Sequence, residues 1–197
     1  MPAFAWIIII VVVILVACGI RLWSVKNALV SRNLKAKEAW SDMTVQLKRR
    51  ADLIPSLEEA VKAYASHEVE TLTALRQAQA KVLAASGPAQ AAAAHGDLQA
   101  AIKGLSAIVE SYPVLLASDN YLYLQDQLVD TEDKIQASRR LYNGVVRDLN
   151  TRIETFPSSL FAKRLGFTPL EFFDAPSARE NPDGPTISFA DNPPEDH

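Results

Sequence analysis

The sequence predicts an all-α protein: an N-terminal single-pass transmembrane helix followed by an antiparallel up-down four-helix bundle. Residues 2–20 contain no charged side chain and are almost wholly aliphatic, and as a helix they would span roughly 28 Å, close to the hydrocarbon thickness of a bilayer. After them, apolar residues recur at helical spacing in four stretches separated by proline or glycine. We therefore expect a transmembrane anchor over residues 1–23, a helical bundle over 24–173 and a disordered acidic tail over 174–197.

The charges that flank the apolar run predict its orientation. Basic residues follow it closely, at Arg21, Lys26, Arg32, Lys35 and Lys37. By the positive-inside rule, the bundle is expected in the cytoplasm and the short N-terminus on the other side of the membrane. Two alternatives remain. The run Leu15–Cys18 resembles a lipobox, which would make Cys18 the lipidated residue of a periplasmic lipoprotein, although the chain lacks the basic segment that opens a secretory signal. Cleavage of a signal peptide without lipidation is the other alternative.

Two helices are predicted in the first half of the body. The first is amphipathic and continues from the anchor, with apolar positions at Leu22, Val25, Leu29, Ala36, Trp40, Met43, Leu47 and Ile54. Pro55 ends or bends it, because proline lacks a backbone N–H. The second helix is expected from about Pro55 to Ala85, with Asp52 as its cap and Glu58 and Glu59 in its first turn.

Two further helices are predicted in the second half. Ser86-Gly87-Pro88 indicates a helix stop and a new start, so the third helix covers roughly Ala89 to Tyr112, with His95-Gly96 as a candidate interruption. The fourth runs from Tyr121 to Phe156, capped by Ser118 or Asp119. Its apolar or aromatic residues recur every seven positions, at Tyr121, Leu128, Ile135, Tyr142, Leu149 and Phe156. Such a repeat predicts one long helix packed at a shallow angle against others. Residues 160–173 are expected to pack over one end of the bundle.

A polar layer is predicted inside the bundle. Glu68 falls on the apolar face between Tyr64 and Leu72, and a buried carboxylate must be paired or hydrogen-bonded. Its expected partners are the guanidinium groups of Arg49, Arg50 and Arg139 and the hydroxyl of Tyr142. Asn33 and the pair Tyr142-Asn143 are expected in a layer of the same kind. Such a layer would fix the register of the helices rather than carry out a reaction.

The sequence contains no pattern typical of an enzyme or of a cofactor site. His67-Glu68 begins like a zinc-protease motif, but Thr71 stands where the second histidine is needed. The chain has three histidines and one cysteine, too few for a convincing metal site. We find no phosphate-binding glycine loop and no nucleophile elbow, and no basic patch of the kind that binds nucleic acid. We therefore predict no catalytic, cofactor-binding or metal-binding residue.

The central part of the chain resembles the LemA family. The resemblance lies in the runs 39–42, 45–50, 52–55 and 64–68, that is, Ala-Trp-Ser-Asp, Val-Gln-Leu-Lys-Arg-Arg, Asp-Leu-Ile-Pro and Tyr-Ala-Ser-His-Glu. Further similar marks stand upstream at 27–30 and 32–33, and downstream at 112–113, 124–125, 142–143, 156–157 and 172–173. Lys26, Ser56 and Glu58 depart from the family pattern, which usually has an apolar residue in place of Glu58.

The resemblance implies an N-terminal membrane segment followed by an antiparallel helical bundle, without established enzymatic activity. Some relatives are associated with bacterial membrane organelles such as magnetosomes, others lie near genes for membrane proteases and stress proteins, and lipoprotein relatives exist. We therefore expect a membrane-anchored scaffold or interaction protein that contacts the lipid bilayer and forms homo-oligomers, with its protein partners unknown. The alternative is an accessory subunit of a membrane protease or of an envelope-stress system, including a lipoprotein form.

Overall fold

The computed structural model describes residues 3–174, apart from the side chains of residues 3–5, 7, 8 and 18 in the first helix. This part of the chain is all-helical and contains no strand, which confirms the predicted fold class at that level. Its helices are α1 Ala3–Asp52, α2 Ile54–Lys62, α3 Val69–Ala84, α4 Pro88–Val109, α5 Pro113–Leu116, α6 Asp119–Glu154 and α7 Ser159–Ala162. The side chain of Cys18 and the predicted tail, except for Asp174, lie outside the described residues.

Helix α1 joins the apolar segment to the rest of the protein without a break over 50 residues. Its most apolar window of 18 residues has a mean hydropathy of 2.2, and only 6% of that window is buried. Among the described residues, α1 alone is long and apolar enough to cross a membrane. Buried side chains begin at Val25 and Leu29, where the helix becomes amphipathic. The sequence from this point to Asp174 is called the helical body below.

Helix α6 is the fourth helix that the seven-residue repeat predicts. It spans 36 residues, and the hydroxyl of Ser118 caps it by accepting the backbone N–H of Tyr121 at 3.4 Å. The repeat residues inside α6 are buried, whereas Phe156 lies beyond its end and is 74% exposed. Two contacts show that α6 is antiparallel to α1. Trp40 packs against Tyr142, whereas Arg50, further along α1, pairs with Glu132, which is earlier in α6.

The predicted second helix from Pro55 to Ala85 is wrong as a single element. Pro55 stands in the first turn of α2, which extends the direction of α1, and the helix is preceded by Leu53 rather than capped by Asp52. The chain reverses only between Lys62 and Val69. Helix α3 then runs back beside α1, where Gln79 donates to the carbonyl of Ala51 at 2.9 Å.

Long-range contacts explain why the reversal lies at residues 63–68. Ala65 is buried there, and Glu68 accepts a hydrogen bond from the hydroxyl of Tyr112 at 3.2 Å. The segment contains neither glycine nor proline, so nothing in its local sequence marks a turn. His67 and Glu68 therefore stand in a turn rather than on the helix that a zinc-protease motif requires.

Helix α4 runs through His95-Gly96 without interruption. It starts after Gly87, whose φ of 97° is a left-handed conformation that favours glycine. Helix α4 is antiparallel to α3, and the ammonium of Lys81 lies 2.6 Å from the carboxylate of Asp97 across the hairpin. The helices share one core, whose fully buried residues include Leu29, Met43, Ile54, Leu75, Leu98, Leu105, Ile135 and Leu149.

The segment after α6 does more than cover one end of the helices. Helix α7 contacts both α1 and α6 at that end. Residues 167–174 then return along α6 in an extended path, and Phe173 is buried to 2% exposure between Trp40 and His95. These residues, called the return segment below, complete the core instead of capping it.

Candidate functional site

Three helices bring a group of charged and polar side chains into the core. Helix α1 contributes Arg50, which is only 4% exposed, α6 contributes Glu132, and α4 contributes His95. The guanidinium of Arg50 pairs with the carboxylate of Glu132 and also lies 3.5 Å from the carbonyl of Leu128. The side-chain amide of Gln136 donates to Glu132 at 2.7 Å. We call Arg50, Glu132 and His95 the buried polar cluster.

Electrostatics keep Glu132 ionised in this cluster. Nε2 of His95 lies 3.5 Å from a carboxylate oxygen of Glu132. This neighbour lowers the pKa of Glu132 to about 2. Burial of the carboxylate acts in the opposite direction, whereas Gln136 and the charge of Arg50 lower the pKa further. Burial in turn lowers the pKa of Arg50. Among the described residues, neither ring nitrogen of His95 nor Nε of Arg50 has a hydrogen-bond partner. The cluster therefore holds a compensated pair of charges at a place where each charge alone would be costly.

A shallow groove of about 240 Å³ opens beside the cluster, between α2, α4 and α6. It is lined by Arg50, Leu57, Ile102, Leu105, Ser106, Tyr121, Gln125, Leu128, Val129, Glu132 and Asp133. Ser106 and Tyr121 are its hydroxyl groups, but no lysine or histidine among these lining residues is available to activate them as nucleophiles. Burial also raises the pKa of Tyr121. The groove thus combines apolar side chains with these two hydroxyl groups and with the carboxylates of Glu132 and Asp133.

The residues predicted to form one polar layer occupy separate places. Glu68 accepts from Tyr112, not from the arginines or the tyrosine expected as its partners. Arg49 is exposed and contacts Gln127 at 3.3 Å and Asp130 at 3.9 Å. Asn33 is half-buried on α1, away from Glu68 in the chain reversal. Arg50 alone of this set enters the buried polar cluster.

The other predicted residues hold the return segment against α6. The hydroxyl of Tyr142 donates to the carbonyl of Glu171 at 2.8 Å. The amide of Asn143 makes two bonds to the backbone of Phe173, donating at 3.1 Å and accepting at 2.9 Å. Arg139 lies 3.8 Å from the carboxylate of Asp174. These three residues of α6 therefore contact the return segment rather than Glu68: Tyr142 and Asn143 bind its backbone, and Arg139 lies near the carboxylate of its last residue.

Asn150 repeats the arrangement of Asn143 seven residues later. Its side chain donates to the carbonyl of Leu170 at 2.9 Å and accepts the N–H of the same residue at 2.8 Å. Sequence reasoning missed Asn150. The seven-residue spacing of two asparagines on α6 was the pattern that could have found it, since it places both amides on one face of the helix.

The sequence profile of the LemA family matches residues 39–189, well over half of the chain. The chain belongs to the LemA family. The match contains the buried polar cluster, the chain reversal and the return segment, and it confirms the family suggested by the motifs around Trp40 and Arg50.

Relatives of this LemA-family chain include magnetosome proteins. Magnetosome protein MamQ of Magnetospirillum gryphiswaldense is 34% identical over 89 residues, which are 45% of this chain and 33% of the relative. Magnetosome protein MamQ 1 of Paramagnetospirillum magneticum is 33% identical over 89 residues, again 45% of this chain and 33% of the relative. Protein LemA of Metamycoplasma hominis is 27% identical over 154 residues, 76% of this chain and 69% of that protein. The match thus spans about one third of the length of the MamQ relatives.

Glu58 of this LemA-family chain, predicted in the first turn of a helix, is instead a buried acid beyond the first turn of α2. Its carboxylate is bound by Arg76 of α3, with Nε at 2.6 Å, and by Lys62 one turn further along α2. The hydrogen bonds from Arg76, opposed by burial and assisted by Lys62, lower the pKa of Glu58 to about 2. The contacts of Glu58 with Arg76 and Lys62 thus link α2 to α3 across the chain reversal.

Acid should therefore destabilise the helical body through these two carboxylates. Both Glu58 and Glu132 have a pKa lowered from 4.5 to about 2 in the folded chain. A lowered pKa contributes stability that is present above pH 4.5 and lost as the pH falls towards 2. We expect the free energy of unfolding, measured with denaturant from about pH 6 to pH 2, to fall over this window.

The slope of that pH profile identifies the groups responsible. The double variant Glu58→Gln/Glu132→Gln should be less stable at neutral pH. Its free energy of unfolding should also change less below pH 5, because two groups that bind protons on unfolding are gone. Glu59→Gln, on the exposed side of α2, should retain the full slope. An unchanged slope in the double variant would show that other carboxylates carry the acid sensitivity.

Proposed function

We propose that this LemA-family chain is a membrane-anchored scaffold or interaction protein that presents an up-down four-helix body at the cytoplasmic face of the bacterial plasma membrane. It would act without catalysis, by helix-on-helix recognition and self-association. Tethering to a surface raises the effective concentration of the body for partners in the same membrane. The magnetosome names of several relatives support a role at a membrane.

The continuity of α1 is the observation that carries this proposal. The side chains from Ile9 to Val16 are all exposed, so the described part of the chain offers no cover for them. In water such a row of aliphatic side chains would be an aggregation hazard, whereas in lipid a helix satisfies its own backbone hydrogen bonds. The same helix then supplies Leu29, Met43 and Leu47 to the core, so the anchor is a part of the body.

The contents of the body support a binding role over an enzymatic one. No group of three or more His, Cys, Asp or Glu side chains in the described part of the chain could hold a metal ion. The charges of Arg50, Glu132 and Glu58 are paired, Arg50 with Glu132 and Glu58 with Arg76. The basic residues that follow the apolar segment support a cytoplasmic body.

Flotation and topology experiments test the proposal. Full-length protein should float with phospholipid vesicles and resist carbonate extraction, and a variant that lacks residues 3–20 should remain in the soluble fraction. A compartment-sensitive reporter fused after Phe173 should be active in the cytoplasm. Cross-linking in the membrane should trap homo-oligomers.

Three outcomes would contradict the proposal. If the full-length protein stays soluble without detergent, the apolar segment is not a membrane anchor. A periplasmic reporter would favour the lipoprotein form or a cleaved signal. Stoichiometric recovery of a membrane protease with the solubilised protein, without self-association, would favour an accessory subunit.

A further inference from the structure

The turn after α6 places exposed apolar and basic side chains together. We call residues 155–165 the α6–α7 corner. Phe156 is 74% exposed and Leu160 61% exposed, and Leu165 follows at 38%. Lys163 and Arg164 are exposed in the same short stretch. Large apolar side chains in such exposure, interleaved with cations, are typical of segments that lie at a membrane interface.

The pairing of α1 with α6 fixes where this corner lies. Arg50 is opposite Glu132, and Trp40 is opposite Tyr142. When this antiparallel register is continued along both helices, Glu154 at the end of α6 lies opposite Ala28 of α1. Helix α7 also contacts α1. The corner is therefore at the end of the body that adjoins the apolar segment.

The distance from the corner to the bilayer follows from helix geometry. Ala28 is eight residues beyond Ile20, the last residue of the apolar run, which corresponds to about 12 Å along the helix. The headgroup region adds roughly 5–8 Å beyond the hydrocarbon on each side of a bilayer. Since α6 runs towards the apolar segment and ends here, side chains of the corner can reach the headgroups. Trp23 of α1, 69% exposed, lies at the same end, where indole rings favour the interface.

We propose that the α6–α7 corner docks on the anionic phospholipid headgroups of the bilayer that α1 spans. Phe156 and Leu160 enter the interface, and Lys163 and Arg164 contact lipid phosphates. Glu154 is the exposed acid closest in sequence, and it is outnumbered by these two cations. The proposal rests on the proposed membrane anchor, and it adds a second contact that holds the body upright on the membrane.

Spin labels can measure the depth of the corner directly. The full-length chain, with Cys18→Ser to remove its native thiol, would carry one label at Leu160→Cys and be placed as a single copy in nanodiscs that contain anionic phospholipid. We expect the label to be severalfold more accessible to oxygen, which concentrates in lipid, than to a water-soluble nickel reagent. Phe156→Cys provides a second labelled site with the same expectation.

A matched control lies on α6 away from the corner. Leu141 is 57% exposed, nearly as much as Leu160, but the register places it level with Ser41 of α1, about 30 Å beyond Ile20. A label at Leu141→Cys should favour the nickel reagent. If labels at Leu160 and Leu141 respond alike, the corner does not dock on the membrane, and the proposal is wrong.

A label in the apolar segment separates failure of the anchor from failure of the docking. A label at Ile14→Cys should be accessible to oxygen when α1 spans the bilayer. If Ile14 reports lipid and Leu160 reports water, the anchor stands and the docking alone is overturned. If Ile14 also reports water, the anchor fails, and the docking fails with it.

Charge reversal tests the contact with anionic lipid. Lys163→Glu/Arg164→Glu should lower the oxygen preference of the Leu160 label in anionic nanodiscs towards its value in neutral ones. Lys103→Glu/Arg140→Glu, which reverses two exposed cations outside the corner, should leave it unchanged. Equal effects of the two pairs would show that net charge, not the corner, controls the depth. Protection of Leu160 that appears only when two copies share a disc would assign the surface to a second copy and overturn the proposal.

Discussion

Replacement of Glu132 by alanine is expected to destabilise the helical body by about 3 kcal/mol. The guanidinium of Arg50 is 4% exposed and would lose its carboxylate partner. A buried charge without a counter-charge keeps its desolvation cost, and the carbonyl of Leu128 at 3.5 Å compensates little of it. The partial exposure of Glu132 sets the expectation at the lower end of the range for buried pairs.

Fluorescence of Trp40 can report this unfolding. In a Trp6→Phe/Trp23→Phe background, Trp40 is the sole tryptophan of the chain, and it packs against Tyr142 at a ring distance of 5.4 Å. Guanidinium titration of the full chain in detergent micelles then gives the free energy of unfolding for each variant.

Two further variants decide whether the loss comes from the stranded charge. Arg50→Met/Glu132→Leu removes both charges and should regain most of the lost stability, because apolar residues of similar volume often replace a buried ion pair without cost. Asp130→Ala breaks the exposed contacts with Arg49 and Lys134 and should cost less than about 1 kcal/mol. If the double variant is no more stable than Glu132→Ala, a stranded charge is not the cause.

Replacement of Phe173 by alanine is expected to cost about 3–5 kcal/mol. Its ring is 2% exposed and lies 6.5 Å from Trp40 and 6.3 Å from His95. The substitution removes the ring from the centre of the core and weakens the attachment of the return segment. Emission of Trp40 should shift to longer wavelength in the folded state as water reaches the vacated space.

Phe156 provides the control for Phe173. It is the same residue type, but its ring is 74% exposed, so Phe156→Ala should change stability by at most about 0.5 kcal/mol. Comparable losses for the two variants would show that the return segment is not part of the cooperative core.

The helices predicted correctly from the sequence are those in which one pattern of apolar residues continues over many positions. The apolar segment and the seven-residue repeat of α6 both depend on side chains whose burial follows directly from helix geometry. Ser118 was one of two predicted N-caps, with Asp119, because the side chain of a capping residue binds a backbone group only three residues away. These features are local, so one stretch of sequence determines them.

The features that the sequence did not predict depend on contacts between distant segments. The reversal at residues 63–68 is held by buried Ala65 and by the bond from Tyr112 to Glu68. The bonds of Asn143 reach backbone groups 30 residues away, and a backbone acceptor has no signature in the sequence. His95 was interpreted as a helix interruption, whereas burial beside Glu132 explains its position.

The unbroken course of α1 also determines how the protein can move. At about 1.5 Å per residue, its 50 residues form a rod roughly 75 Å long. The helix continues without interruption from the apolar segment into the part that supplies the core, so a tilt of the apolar segment would also tilt the helical body. With the proposed anchor in a bilayer, a change in the tilt of α1 would therefore move the far end of the body sideways by a distance that grows with the length of the helix.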